Sequence, residues 1–172
     1  AHNIFSNDGE AVILNKNNTK GILLKGYLNN DFKDLEIINN KHFLGSNNLN
    51  NNFISIGREL SLNLNLDIGD LITIMSPSGI QTIIGSLPKK ESFKIISIFD
   101  SGLSDFNENV AYVNLLTLEN FFDKDKNERF QEYYFKNPKN IEHHKAGLMK
   151  LYPDELVYTW ADMNKSLFSA LK

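Results

Sequence analysis

Gly57-Arg58-Glu59-Leu60-Ser61-Leu62-Asn63-Leu64-Asn65-Leu66-Asp67-Ile68-Gly69-Asp70-Leu71-Ile72-Thr73-Ile74-Met75 is the stretch whose reading decides the fold. A helix opens at Gly57-Arg58-Glu59-Leu60 and ends near Asn63 or Asn65. Asp67-Ile68-Gly69-Asp70 is turn chemistry, since Asp and Gly accept the tight backbone that branched residues resist. Leu71 to Met75 is a β-rich run. Just upstream, Ile54 and Ile56 alternate with Ser55, the period of a half-buried strand. Strand, helix, turn and strand thus follow one another within a few turns of chain.

Working outward toward the C-terminus, Ser76-Pro77-Ser78-Gly79 and Gly85-Ser86-Leu87-Pro88 bound a segment with Pro and Gly at both ends. A further strand, Phe93 to Phe99, follows it. Hairpins usually turn within about 2–5 residues, so this much intervening chain implies a protruding hairpin or an extended arm. Ile80, Ile83, Ile84 and Leu87 lie within it. Apolar side chains on an arm are unfavourable unless another surface covers them. Two alternatives stay open at this point: a partner covers them, or the segment folds back onto the domain's own core.

Val110 to Val113 reads as another strand, Leu115 to Phe122 as a short helix, and Glu128 to Phe135 as a strand. Pro138 to Leu151 is helical, Glu155 to Trp160 a last strand, and Ala161 to Lys172 a last helix. Toward the N-terminus, Ala11-Val12-Ile13-Leu14 and Gly21-Ile22-Leu23-Leu24 flank Asn17-Asn18 as a hairpin. A short helix over Asp31–Ile38 places Phe32, Leu35 and Ile38 at helical spacing, and Asn47 to Asn52 is a surface loop. Helices and strands mix without a strict βαβ repeat, so the class is α+β.

The whole chain has 172 residues, 18 Lys and Arg against 21 Asp and Glu, a net charge of -3 and no cysteine. That length suits one domain, or one domain carrying a subdomain, and is enough to bury a real core. Without a basic stripe the chain lacks the clustered cations that nucleic-acid binding needs. Zero cysteine excludes disulfides, thiolate metal sites and cysteine nucleophiles. No apolar run approaches the ~20 residues of a membrane-spanning helix. The chain opens Ala1-His2-Asn3, and its closing stripe runs to the last residue with no Gly or Pro stop, so it reads as a piece of something longer.

Catalytic and metal patterns fail one by one. No phosphate-cradling glycine loop occurs, so neither binding nor hydrolysis of ATP is expected. Asp123-Lys124-Asp125-Lys126-Asn127 and Asp105-Phe106-Asn107-Glu108-Asn109 imitate the start of a calcium loop. Both lack the glycine at position six and the bidentate Glu at twelve, and both read as solvated turns. His143 and His144 point about 100° apart on a helix and cannot face one metal. No nucleophile elbow is present. Neither a catalytic residue nor a cofactor is expected. Trp160, Asn164, Leu167, Phe168 and Leu171, by contrast, fall on one helix face.

Together these residues resemble a known family. Gly57-Arg58-Glu59-Leu60 followed by Leu64, Leu66, Ile68, Gly69-Asp70 and Ile72 is similar to the pattern of MacB-like periplasmic core domains in ABC-transporter permeases. Phe93 to Phe99, then Ser101-Gly102 and Asp105, then Val110-Ala111-Tyr112-Val113-Asn114-Leu115, continue it. The closing Trp160, Asn164, Leu167-Phe168 and Ala170-Leu171 resemble the LolC/LolE permease subunits of lipoprotein-releasing systems. The resemblance spans most of residues 54 to 172.

The resemblance implies a non-catalytic periplasmic domain of an inner-membrane subunit with four spans. It would work with a LolD-like ATPase subunit, a second permease subunit and lipoprotein substrates. A mixed α/β base over residues 1–56 and 115–172 would carry a β-rich subdomain over 57–114, with the arm at 76–88. In the LolC type a hairpin Hook recruits the soluble chaperone LolA. By resemblance the Hook here is Gly79, Ile80, Gln81, Thr82, Ile83, Ile84, Gly85, Ser86, Leu87 and Pro88, with the apolar tip contact at Ile84. A polar pad would fall at Thr73, Lys90 and Glu91, where Thr73 and Glu91 depart from an expected Arg. Trp160, Asn164, Leu167 and Phe168 would be membrane-proximal. The alternative is the same fold in a MacB-type exporter, facing an adaptor and an outer-membrane conduit.

Overall fold

The computed structural model describes residues 2–16, 18–83 and 85–163. In chain order its elements are β1 (His2–Asn15), β2 (Asn18–Tyr27), α1 (Asn29–Asp34), β3 (Leu44–Gly45), β4 (Phe53–Gly57), α2 (Arg58–Leu64) and β5 (Leu71–Thr82). There follow β6 (Gly85–Phe99), α3 (Ser104–Asn109), β7 (Val110–Asn114), α4 (Leu115–Phe122), β8 (Phe130–Tyr134), α5 (Ile141–Leu151) and α6 (Trp160–Met163). The chain is a mixed α/β protein, as its pattern of mixed strands and helices predicts.

Strands run in the order β2-β7-β4-β6-β5-β1-β8, and β1 pairs back onto β2, so the pairings of six strands close on themselves. β2 with β7 and β4 with β6 are parallel; β1–β2, β1–β5, β5–β6 and β4–β7 are antiparallel. The described residues fall into two compact units, one spanning Ile4–Glu132 and the other holding the segment from Tyr133 onward.

In the first unit the period of two sorts each strand's side chains between two cores. Ile13, Leu24, Ile54, Ile56, Ile74, Phe93 and Ile95 meet Leu60 of α2 and Leu118 and Phe121 of α4 on one face. Tyr27, Ile96, Phe99 and Tyr112 meet Phe32, Leu35, Ile38 and Leu49 on the other. The deciding stretch folds as its chemistry dictates. α2 ends on Asn65 in the left-handed region (φ 50°), and the buried Ser61 hydroxyl donates to Leu66 O at 2.7 Å. Gly57, where β4 becomes α2, admits no side chain, because a Cβ there would lie 1.9 Å from Asn107 O.

Three expectations are corrected. The helix after β2 stops at Asp34 and leaves Ile38 in a turn, although Phe32, Leu35 and Ile38 are all buried as their spacing predicts. Asp105–Asn109 is part of α3 and not a solvated turn. Asn107 is buried there, accepting from Ser101 N–H and Oγ and donating to Asp100 Oδ1. The Asp100 carboxyl is held below its usual range by the Gly102 N–H, then by Asn107 and Arg58. Finally, Glu155–Trp160 is not a strand: the segment is irregular until Thr159 caps α6. Thr159 Oγ1 accepts from Asp162 N–H at 3.1 Å and Thr159 N–H donates to Asp162 Oδ2 at 2.9 Å, a reciprocal cap that starts a helix at Trp160.

Candidate functional site

β5 and β6 form one long hairpin, and its two ends differ. At the root, Leu71 to Ser76 pair with Lys94 to Lys89 in unbroken register. β1 adds itself to β5 through Val12↔Met75, Ile13↔Ile74 and Leu14↔Thr73, and β4 adds itself to β6 from Phe53↔Lys94 onward. Past Ser76, β5 and β6 pair only with each other among the described residues, as a two-stranded ribbon.

The ladder slips between root and ribbon: Pro77, Ser78 and Gly79 stand opposite Pro88 alone. Two prolines withdraw two N–H donors at this level, and Gly79 takes a positive φ of 39°. The ribbon then resumes through Ile80↔Leu87, Gln81↔Ser86 and Thr82↔Gly85. The segment that composition marked as an arm is therefore mostly strand, with its turn at the far end. Ile83 is fully exposed at 105% and Leu87 at 56%, so neither folds back as core. Ile84, the position given the tip contact, lies outside the described residues.

Alternation assigns the pad positions to faces. Ile72, Ile74 and Ser76 of β5 and Phe93 of β6 are buried, which turns Leu71, Thr73 and Met75 outward with their cross-strand partners Lys94, Ser92 and Lys90. Thr73 and Lys90 share this outer face. Glu91 sits opposite Ile74 on the other face, where it accepts from Asn52 Nδ2 at 2.8 Å. α4 braces that inner face: Lys89 Nζ donates to Asn120 O at 2.5 Å and lies 3.4 Å from Asp123 Oδ1. Ser76, Gly79, Lys89, Phe121 and Asp123 line a hollow beneath the ribbon. Lys89 as a brace was not visible in sequence; only the register of β5 on β6 puts it over α4.

The second unit presents a different surface. On α5 and beyond, Leu151, Leu156, Tyr158 and Met163 are exposed by more than half, and Trp160 by 46%. Its order comes from polar and ring contacts. Lys145 Nζ donates to Asp162 Oδ2 at 2.6 Å, and His144 stacks on Phe135 with ring centroids 3.9 Å apart. Lys145 and the Thr159 groups hold the Asp162 carboxyl well below the carboxylate range. Asn164, Leu167 and Phe168 lie outside the described residues. Among the described residues no three His, Cys, Asp or Glu gather as a metal site, and no helix is long and apolar enough to cross a membrane.

No family model matches this chain. Among curated proteins it is similar to the lipoprotein-releasing system transmembrane protein LolC of two Xylella fastidiosa strains, Temecula1 and 9a5c. Each match is 25% identical over 121 residues, covering 69% of this chain and 29% of the LolC chain. This chain thus corresponds to less than a third of its relatives' length. Among solved structures it is similar to the extracellular domain of the noncanonic ABC-type transporter YknZ from Gram-positive bacteria. That match has a TM-score of 0.50 and 10% identity, over 90% of this chain and 77% of the other. In sequence, then, this chain is similar to part of a LolC protein, and in fold it is similar to the extracellular domain of an ABC-type transporter.

Proposed function

We propose that this chain is the periplasmic docking domain of an inner-membrane permease that releases lipoproteins, and that the β5–β6 ribbon is a Hook for a soluble, LolA-like lipoprotein carrier. The observation that supports the reading best is the ribbon itself. It leaves the sheet past Ser76 and carries Ile83 and Leu87 exposed. Apolar groups held out on a ladder lose nothing in the free domain that a partner's groove would not return on binding. The prolines and the slipped register at its base keep other edge strands from adding to it, a common protection for exposed strands.

The domain's role is to dock, with ATP hydrolysed by a separate LolD-like subunit and lipoprotein passed to the carrier. The exposed apolar side chains from Leu151 to Met163 are its membrane-proximal side, where Trp160 fits an interface because its ring is apolar and its N–H polar. The test is direct binding between this chain and the carrier chaperone of the same organism, followed by isothermal calorimetry. Saturable binding that Ile83→Glu abolishes supports the proposal; absence of binding by the unaltered chain rejects it.

A further inference from the structure

We infer that the ribbon is a hinged arm, pivoting where Pro77, Ser78 and Gly79 face Pro88, and that Lys89 is the latch that holds it over α4. Latched, the arm stands in the position from which it takes the carrier. The carrier's part in this rests on the Hook reading of the same hairpin; the hinge and the latch stand without it.

The ladder itself marks the pivot. Ser76↔Lys89 is the last pair of the unbroken root, and β1 leaves β5 one residue earlier, at Val12↔Met75. The next pair is Ile80↔Leu87, and only two more follow it. Neither proline between them has an N–H to give to the ladder. Gly79, at a φ of 39°, occupies a region that a residue without Cβ enters and leaves at little cost. A two-stranded ribbon alone is marginal in water, so its direction is set by what fastens its base. A few residues that absorb backbone rotation between two ordered parts make a hinge.

The fastening is a helix end. α4 stops at Phe122, and Asp123 turns left-handed behind it at a φ of 53°. The last carbonyls of a helix lack partners within it and carry the negative end of its dipole. Lys124 N–H, which one more helical step would bring to Asn120 O, bonds Glu119 O instead. Lys89, next to Pro88 at the pivot, donates its ammonium to that Asn120 O and lies 3.4 Å from Asp123 Oδ1. A cation of the hairpin thus completes a helix of the body. The hollow between them, lined by Ser76, Gly79, Phe121 and Phe122, leaves the pivot room that close packing would deny it. The ion pair is open to water, with the Lys89 side chain 29% and the Asp123 side chain 76% exposed, so the latch is weak and reversible. A partner that binds only the latched arm loses apparent affinity in proportion to the time the arm spends elsewhere.

The chain has no cysteine, so spin labels on Ile83→Cys at the tip and Leu116→Cys on α4, both exposed, report the arm. Leu71→Cys with Leu116→Cys is the control pair within the body. Distances are measured by electron double resonance in the free chain, with Lys89 kept or replaced as Lys89→Ala, Lys89→Met or Lys89→Arg. Lys89→Met keeps most of the stem and carries the test if Lys89→Ala lowers the melting temperature. The tip distribution should be narrow in the unaltered chain, broad in Lys89→Ala and Lys89→Met, and narrow again in Lys89→Arg, with the control pair unmoved. Equally narrow distributions in all four overturn the hinge, and equally broad ones overturn the latch. A control pair that broadens with the tip overturns the latch too, because Lys89 would then only hold α4 together. In label-free chains, Lys89→Ala should bind the organism's purified carrier chaperone about fivefold more weakly, as for an arm in place about a fifth of the time, and Lys89→Arg close to normally. A broad arm with unaltered or tighter binding overturns the positioning role. If the unaltered chain does not bind the carrier, the Hook reading falls and the carrier's part with it, while the distances decide the hinge and the latch on their own.

Discussion

Every buried apolar side chain among the described residues lies between Ile4 and Phe121; in the unit from Tyr133 onward only Thr159 is buried. The first unit satisfies the hydrophobic effect internally, with cores on both faces of its strands. The second is held by a cap, an ion pair and a ring stack, and shows Leu151, Leu156 and Tyr158 to solvent. A segment with few buried apolar contacts opens at lower free energy than one with a core. The same contrast recurs inside the first unit, between the buried root of the β5–β6 hairpin and its exposed tip. Buried scaffold and exposed apolar surface are therefore separate parts of this molecule, and each separation can be attacked.

The largest effect is expected at the root's core side. Ile74 is fully buried, and Ile74→Ala should cost about 2–5 kcal/mol, the usual range for such cavities. Trp160 is the sole tryptophan and sits in the second unit, so its emission reports there while circular dichroism is dominated by the first. In urea the dichroism midpoint of Ile74→Ala should fall steeply, with the Trp160 transition at its own, lower midpoint in both proteins. One coincident transition by both probes would show that the second unit does not unfold on its own, and would break the comparison.

Next is the tip. Ile83→Glu removes no core contact, so stability should stay within about 0.5 kcal/mol. Burying an Ile side chain is worth about 1.5–3 kcal/mol, so carrier binding should weaken by at least about tenfold, which is ~1.4 kcal/mol. A large drop in melting temperature would mean that the tip is packed and not presented. A milder effect is expected across the second unit. The chain has no cysteine, so single cysteines at Leu156, Tyr158 and Met163 report cleanly. In membranes containing the full permease their labelling by a water-soluble maleimide should slow several-fold relative to the isolated chain. Equal rates would remove the membrane-proximal reading.

How much of this was legible in sequence depends on whether a residue's environment is set locally. The passage from Gly57 to Met75 carried its own turn and cap chemistry, and α2 and β5 begin where that chemistry places them. Leu115–Phe122 was legible as a helix, and the structure adds its cap, the Asn114 side chain accepting from Leu116 N–H. α3 was hidden because its polar run looks solvated, and only the close approach of Asn107 to Gly57 explains why Asn107 is buried. Glu155–Trp160 has strand-like residues but no partner strand among the described residues, and the reciprocal cap between Thr159 and Asp162 starts a helix there instead. The arm was legible as punctuation by Pro and Gly. Its register was not, and register is what sets Lys90, and not Glu91, on the face of Thr73. A strand's period of two is visible in sequence, but which residue lies opposite which is fixed across the sheet.

The smallest expected effect tests what holds the second unit. Asp162 Oδ2 accepts from Lys145 Nζ at 2.6 Å and from Thr159 N–H at 2.9 Å, and these bonds hold its pKa below the ordinary carboxylate range in the folded chain. A depressed carboxyl contributes stability that is complete above its ordinary value near 4 and is lost as pH falls below it toward the folded value. Lys145 is shifted upward by the same contact, so the pair stays charged through the neutral range and beyond the ordinary range of an amine. The Trp160 emission and the Trp160 unfolding midpoint should therefore be flat from neutral pH down to about 5 and change only below about 4. Asp162→Asn should remove that acid response from the Trp160 signal. It should leave whatever acid response the first unit owes to Asp100, whose carboxyl is depressed by the Gly102 N–H. The amide can still cap Thr159 but carries no charge for Lys145, so the loss should be local and screened by salt, because the ion pair is only partly buried. If Asp162→Asn instead lowers the dichroism midpoint of the first unit as much as Ile74→Ala does, the second unit is part of the scaffold and the division between core and contact surface fails.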